Sequence, residues 1–273
     1  MTDFRNELAA VIDRDIEELV DSARFSDQLC LDSLGMMGLT AWLQGKGVSA
    51  ALFREPPATV GDVLALVAEP RKPTVTVRIN GDVIGPAHLA PPPEQHPLAP
   101  TLSNRELRLT PVEPEDLRFL YSMSIHPETA FRWRYRGAPP PADRFAADLW
   151  HQVLVQFVVR LPDGEPIGHV VAYGADMGQR YAYAGAVFRS DFTGSGLGAQ
   201  AFTMFVRYLF HTFPMRKLYV EVPGFNWEQI SSGEDRHFET EGVMRDHEFY
   251  AGRYWDRYLC AIYPRHVGLD SST

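Results

Sequence analysis

One stretch constrains the fold more than any other. Tyr181 to Phe210 reads as a strand, a glycine turn and a helix in immediate succession. Tyr181-Ala182-Tyr183-Ala184-Gly185-Ala186-Val187-Phe188 alternates aromatic and small residues, as a strand with two different faces does. Thr193-Gly194-Ser195-Gly196-Leu197-Gly198 follows, and then Phe202, Phe205, Val206, Leu209 and Phe210 recur at helical spacing. Glycine lets a backbone turn sharply and approach a ligand closely, and a helix start offers unpaired N–H groups at a positive dipole end. The combination suits a pyrophosphate, and it equally suits a bare strand-to-helix connection. It is not a Walker loop, because no Gly-Lys-Ser/Thr follows.

The surrounding chain narrows the reading. The turn resembles the coenzyme A pyrophosphate loop of the GNAT acyltransferase superfamily, Arg/Gln-x-x-Gly-x-Gly/Ala, with Gly196 and Gly198 in place and Thr193 where the basic or amide residue stands. Met215–Val222 and Pro223-Gly224-Phe225-Asn226 are similar to the next strand of that fold and its Asn-started helix. Phe238 to His247 and Gly252 to Asp256 resemble the final hairpin of the ribosomal-protein-acetylating branch. The likeness covers 105–264 and implies a mixed, mainly antiparallel sheet flanked by helices, with acyl-CoA as cosubstrate.

The chain has 273 residues, enough for two domains with real cores. No apolar run approaches the roughly 20 residues of a membrane helix, and the first residues lack a secretory pattern, so cytoplasm is expected, with no membrane partner. Cys30 and Cys260 lie far apart with no metal-ligand spacing. Charge is uneven: residues 1–70 hold 12 Asp/Glu and 5 Lys/Arg, a net of −7, leaving −2 of the total −9 for the rest. An acidic first quarter argues against nucleic acid and fits docking on basic protein surfaces.

Within that quarter, Leu8, Ile12, Ile16 and Leu19 predict one amphipathic helix. A second follows through Met37, Ala41 and Leu43, closed by Gly45 or Gly47. After a short turn at Leu52-Phe53, Thr59 is expected to cap a last helix carrying Val60, Val63, Leu64 and Val67. Four helical pieces predict a small bundle over 1–70. Asp32-Ser33-Leu34, with the Thr59–Val67 tail, resembles an acyl or peptidyl carrier protein, although Cys30 replaces a glycine of that pattern. The resemblance implies that Ser33 carries 4′-phosphopantetheine attached by a phosphopantetheinyl transferase, and that assembly-line synthase or tailoring enzymes are partners. A helix cap, in a carrier retained only for docking, is the plain alternative for Ser33.

Residues 71–104 read as a connector: a hairpin over Val75–Ile84 with an Asn80-Gly81 turn, then a proline-rich linker from Pro86 to Pro100. At about 3.3 Å per residue at most, it reaches several tens of ångströms. Residues 265–273 form a tail.

In the second domain, Glu106–Thr110 predicts a strand, Glu113–Leu117 a helix start and Ala142–Trp150 a helix. Val153–Arg160 and Ile167–Tyr173 predict strands joined by the turn Pro162–Glu165. Arg132, Arg134 and Arg136 alternate with Trp133 and Tyr135, as a solvated rim or as a lip meeting anionic groups. The family's usual catalytic Glu falls near Tyr183 and its usual Tyr near Gly233, so neither group is present. Tyr183, Glu221 and His237 are the candidate substitutes, His237 because imidazole titrates near neutrality. The resemblance assigns Val187, Thr193, Gly194, Ser195, Gly196, Leu197, Gly198 and Asn226 to the donor's phosphates and arm, Val187 by its backbone N–H. Asn226 doubles as a candidate N-cap.

The expectation is an α+β, two-domain acyltransferase of polyketide or nonribosomal peptide type metabolism, such as antibiotic biosynthesis. It moves an acyl group from acyl-CoA to an amine or thiol on the Ser33 arm. A non-enzymatic acyl-CoA-binding or docking module, or a stand-alone N-acetyltransferase with a vestigial carrier, are the alternatives.

Overall fold

The structure is a computed structural model and describes residues 2–48, 57–68, 77–79, 82–84 and 102–269. By contacts the chain divides into two units, Met1–Leu31 with Gly38–Ala99, and Asp32–Met37 with Pro100–Thr273.

In the first unit, α1 spans Thr2–Ile12 and stops earlier than the apolar spacing predicts. Asp13 turns left-handed at φ 53°, and the N–H of Arg14 bonds back to the carbonyl of Ala9. That closes the helix in the way a Schellman motif does. Ile16–Glu18 is a separate 3-10 turn that leaves Ile16 exposed while Leu19 is buried. α2 spans Ser33–Gly45, its first residues through Met37 grouped with the second unit and the rest with the first. Its cap is Asp32, whose Oδ1 accepts the N–H groups of Leu34 (3.2 Å) and Gly35 (2.8 Å). Its end is set by Gly47 at φ 85°, with Val48 N–H on the carbonyl of Leu43.

α3 spans Val60–Ala68. Thr59 caps it as the sequence predicts: its Oγ1 accepts from Asp62 N–H at 3.2 Å, and Asp62 returns the bond at 2.9 Å. Leu8, Ile12, Leu39, Leu43, Val60 and Val63 are each buried from water, which supplies the main drive for such small helices to fold. Glu7 ties α1 to α2 through Trp42 Nε1 and Lys46. Among the described residues, 1–70 hold three α-helices and a 3-10 turn, not a four-helix bundle. The Leu52-Phe53 turn lies outside them.

Two short strands, β1 (Val77–Ile79) and β2 (Asp82–Ile84), pair antiparallel as the connector reading expects. Their Asn80-Gly81 turn and the proline-rich stretch lie outside the described residues.

The second unit is built on a seven-stranded sheet. Its strands are β3 (Arg108–Pro111), β4 (Val153–Arg160), β5 (Pro166–Asp176), β6 (Tyr181–Phe188), β7 (Lys217–Pro223), β8 (Glu239–Tyr250) and β9 (Arg253–Ile262). The order is β3-β4-β5-β6-β7-β9-β8, and every pair is antiparallel except β6 with β7. On one face lies α6 (Leu197–Thr212), whose Ala201, Phe205, Val206 and Leu209 pack on Phe157, Val170, Ala182 and Leu218. On the other face, α4 (Leu117–Ile125) and α5 (Ala142–Asp148) bury Leu120 and Phe145 against Val158. Glu113 and Asp116 cap the 3-10 turn Pro114–Asp116 that leads into α4.

The parallel pair matters most. β6 and β7 pair only over Tyr181–Tyr183 with Lys217–Tyr219, and beyond that point the ladder stops. The strands part, and the facing edges of Ala184–Val187 and Val220–Val222 are left without strand partners among the described residues. A gap with unpaired backbone on both sides is a place for a ligand that carries amides of its own.

Candidate functional site

The parting of β6 and β7 opens into a cleft of about 1100 Å³. The glycine turn lies at one end. Gly194 and Gly196 take φ 77° and 79°, conformations that glycine adopts without strain, and Gly196 is the N-cap of α6. Thr193, Gly194, Gly196 and Gly198 line the cleft, whereas the side chains of Ser195 and Leu197 turn into the protein. Ser195 Oγ donates to the carbonyl of Phe192 at 2.7 Å and accepts from Leu197 N–H at 3.3 Å, so it fixes the turn from within. Gly198 is pressed against Phe188: a Cβ there would lie 3.0 Å from the ring. The N–H groups of Gly196, Gly198 and Ala199 have no acceptor among the described residues. They open a 16-residue helix, the arrangement that holds phosphate oxygens.

Further along, Val187 lines the parted edge of β6. Asn226 lines the cleft too, but it is not the helix start that the sequence suggests. α7 is only Gly224–Trp227, its N-cap is Pro223, and Asn226 is its third residue. Asn226 Oδ1 is buried and has no hydrogen-bond partner among the described residues. An orphaned acceptor of this kind costs about 1–3 kcal/mol unless a donor meets it. Around Gly233, where counting places the family's usual Tyr, the chain forms the 3-10 turn Ser231–Gly233.

Of the three candidate catalytic residues, two reach the cleft. Glu221 enters it from β7, with one Oε1 bond to Arg257 at 3.4 Å. His237 lines it half-buried, and burial, followed by the charges of Arg236 and His266, holds its imidazole below the usual value and so neutral at pH 7. Tyr183 lies outside. It is the last residue of the parallel ladder, stacked on Tyr173 at 5.6 Å, and burial followed by the Glu221 charge raises its phenol. Tyr173 is the ring that does line the cleft; burial and then Glu221 raise its phenol as well. Nothing local marks Tyr173, because only the β5–β6 register brings it opposite Tyr183.

The arginine-aromatic segment divides by role. Arg134 bonds to the carbonyls of Asp148 and Leu149 and so closes α5. Arg132 is exposed at the cleft edge, and Arg136 pairs with Glu248 at 3.2 Å. Trp133 lies over Gly185: a Cβ at Gly185 would meet its ring at 3.4 Å and that of Tyr173 at 3.8 Å. Beneath Trp133, His169 is fully buried, bonded to Gln156 at 3.0 Å, with burial driving its imidazole down to about 3. The cleft's thiol, Cys260, is pushed up to about 12 by burial and stays protonated. Among the described residues, no three His, Cys, Asp or Glu side chains group as a metal site, and no helix is long and apolar enough to cross a membrane.

Comparison with known proteins agrees with this geometry. Residues 106–230 match the family model of the Acetyltransferase (GNAT) domain. The chain thus carries a GNAT acetyltransferase domain and is, by class, an acyl-CoA-dependent acyltransferase.

Among solved structures, the spermidine N-acetyltransferase from Vibrio cholerae in complex with CoA and spermine is similar at 21% identity. It has a TM-score of 0.54, with 60% of this chain and 99% of that one covered. The dodecameric structure of spermidine N-acetyltransferase from the same organism gives 22% and 0.52, over 62% and 100%. A third, the Vibrio cholerae spermidine/spermine N-acetyltransferase with manganese ions, gives 20% and 0.51, over 60% and 96%. These likenesses establish the fold. No curated protein matches the sequence.

Proposed function

We propose that the chain is a two-domain fusion, a carrier domain over 1–70 followed after a 71–104 connector by the acyltransferase domain of 105–264. In this reading the acyltransferase moves an acyl group from acyl-CoA to an amine or thiol held on a 4′-phosphopantetheine arm at Ser33, within an assembly-line type of metabolism. The observation that carries it is at the start of α2. Ser33 is the first residue of that helix, and the cap is made by Asp32, so capping does not account for a serine there. A phosphodiester at that position sits where the helix dipole favours negative charge.

The donor is read from the glycine turn. Three free N–H groups at the start of α6 suit the pyrophosphate of coenzyme A, which has more charge to place there than the single phosphodiester of a carrier arm. The arm of coenzyme A then lies in the parted strands, where its amides meet the unpaired backbone and one amide N–H meets Asn226 Oδ1. Val187 N–H, two residues before Arg189, whose N–H bonds to the carbonyl of Ile167 at β5, faces β5 in the same register. The N–H of Ala186, on the edge toward the gap, polarises the thioester carbonyl in its place. The acceptor nitrogen or sulfur attacks that carbon; its proton passes to Glu221 or to neutral His237. The tetrahedral intermediate collapses with loss of the coenzyme A thiolate, which takes up a proton. With the family's Glu and Tyr absent, positioning supplies more of the rate than acid–base assistance does.

A second reading has support in the structural neighbours: an N-acetyltransferase acting on a small free amine such as a polyamine, with the helical unit as a passenger. Release of coenzyme A from acetyl-CoA and malonyl-CoA separates the two. The fusion reading expects release by the phosphopantetheinylated protein and none above background by Ser33→Ala. Equal turnover of spermidine by both proteins would instead favour the second reading.

A further inference from the structure

At the cleft, four charged side chains form one chain across four elements. Glu248, on β8 just past the register break after Met244, is the most enclosed of them, with a side chain only 10% exposed. It faces two guanidinium groups at once. Arg257 of β9 gives it Nε at 2.7 Å and an Nη contact as well, and Arg136 reaches it at 3.2 Å. Arg257 spends its remaining Nη on Glu221, and that bond is the long one, at 3.4 Å. Arg136 belongs to the segment that lays Trp133 over Gly185, and it takes φ 49° there, an unfavourable conformation for a side-chain-bearing residue.

We propose that Glu248 is a positioning residue for the acceptor: it draws Arg257 away from Glu221, leaving that carboxylate open to the cleft, and it latches the Trp133 segment through Arg136. This rests on the reading above that Glu221 serves the acceptor. The reasoning is a competition. Guanidinium and carboxylate prefer a two-bond, fork-to-fork pairing. Arg257 gives Nε and one Nη to a single oxygen of Glu248, Oε1, and so has only its other Nη left for Glu221. If Glu248 loses its charge, the preferred partner left to Arg257 is Glu221, which becomes bidentate and withdrawn from the cleft. Arg136 loses its ion pair in the same change, and its left-handed backbone has less to hold it.

The test uses the full-length phosphopantetheinylated protein with acetyl-CoA as donor and spermidine and cysteamine as added acceptors. Glu248→Gln is expected to slow acyl transfer or raise the acceptor KM about tenfold, with the acetyl-CoA Kd from calorimetry unchanged. Its crystal structure is expected to show Arg257 bidentate on Glu221. Trypsin is expected to cut at Arg132–Arg136 several-fold faster than in the wild type. Glu248→Gln with Arg257→Met removes the competing guanidinium, so transfer recovers while the rapid trypsin cleavage persists. A merely structural Glu248 gives no such rescue. An Arg257 that stays off Glu221 in the Glu248→Gln structure, or trypsin cleavage at the wild-type rate, overturns the proposal. Glu221→Gln with full activity would instead remove the reading of Glu221, and the Trp133 latch would still be judged by the trypsin result.

Discussion

His169 gives the sharpest physical prediction. It is fully buried on β5 in register with Val187, bonded to Gln156, and packed edge-on by Trp133 at 5.6 Å. Burial lowers its imidazole from 6.5 to about 3. The folded value lies below the unfolded one, so the unfolded chain binds the proton first. Stability from this group is therefore complete above pH 6.5 and falls as pH drops through the window between 6.5 and about 3. Linkage over that window makes the loss about 2 kcal/mol between pH 7 and pH 5, with about 1.4 kcal/mol added per further pH unit. His169→Gln keeps an N–H near the Nε2 position for Gln156 and does not titrate. Guanidinium unfolding of both proteins at pH 7 and pH 5, followed by tryptophan fluorescence, isolates the effect, since all other groups titrate in both. The wild type should lose about 2 kcal/mol more than His169→Gln across that interval. Parallel loss in the two proteins would refute the reasoning, because it would mean His169 is not held neutral.

Three further outcomes follow. Gly194→Ala meets no neighbour within 4 Å, so only the φ of 77° opposes it; a strain of about 1 kcal/mol should weaken acetyl-CoA binding about fivefold by calorimetry. Gly194→Asn should bind closer to the wild type, and equal affinity in all three would mean the turn does not contact the donor. Asn226→Ala should bind acetyl-CoA about tenfold more weakly yet melt no lower than the wild type, because it removes a buried acceptor that lacks a partner; a lower melting temperature would contradict this. Arg160→Met strips buried Asp116 of its ion pair and should cost about 2 kcal/mol, short of a fully buried pair because Arg160 stays 22% exposed. Chemical unfolding checks that, and a change within about 0.5 kcal/mol would make the pair a surface one.

Much of the fold was legible where physics is local. Strand β6 falls on Tyr181–Phe188 because alternating residues state two faces, and the turn after it is carried by its glycines. Thr59 capped α3 because a hydroxyl and an acid three residues apart suffice. The early end of α1 was not legible: apolar spacing continues through Ile16, and the left-handed Asp13 overrides it. Asn226 invited a capping role by type, yet Pro223 fixes the start of α7 and puts Asn226 inside it.

The candidate site divides along the same line. The glycine turn is contiguous and could be read from six residues. The acceptor side assembles Arg136, Glu221, Glu248 and Arg257 from four separate elements, and Tyr173 from a fifth. That ion chain depends on β7, β9 and β8 lying side by side, an order no single stretch encodes. Tyr183 matched a family position by counting, but the cleft begins one residue later, at Ala184, where the parallel ladder ends.

The central claim is that Ser33, in the proposed carrier domain of 1–70, holds the acyl acceptor for the acyltransferase domain, and intact mass tests it most directly. Full-length protein is treated with coenzyme A and a broad-specificity phosphopantetheinyl transferase, then with acetyl-CoA or malonyl-CoA. The account predicts the gain of one phosphopantetheine, absent in Ser33→Ala, followed by one acyl increment that appears only on the modified protein. No gain at Ser33, with acyl transfer to free spermidine unaffected by Ser33→Ala, would contradict it.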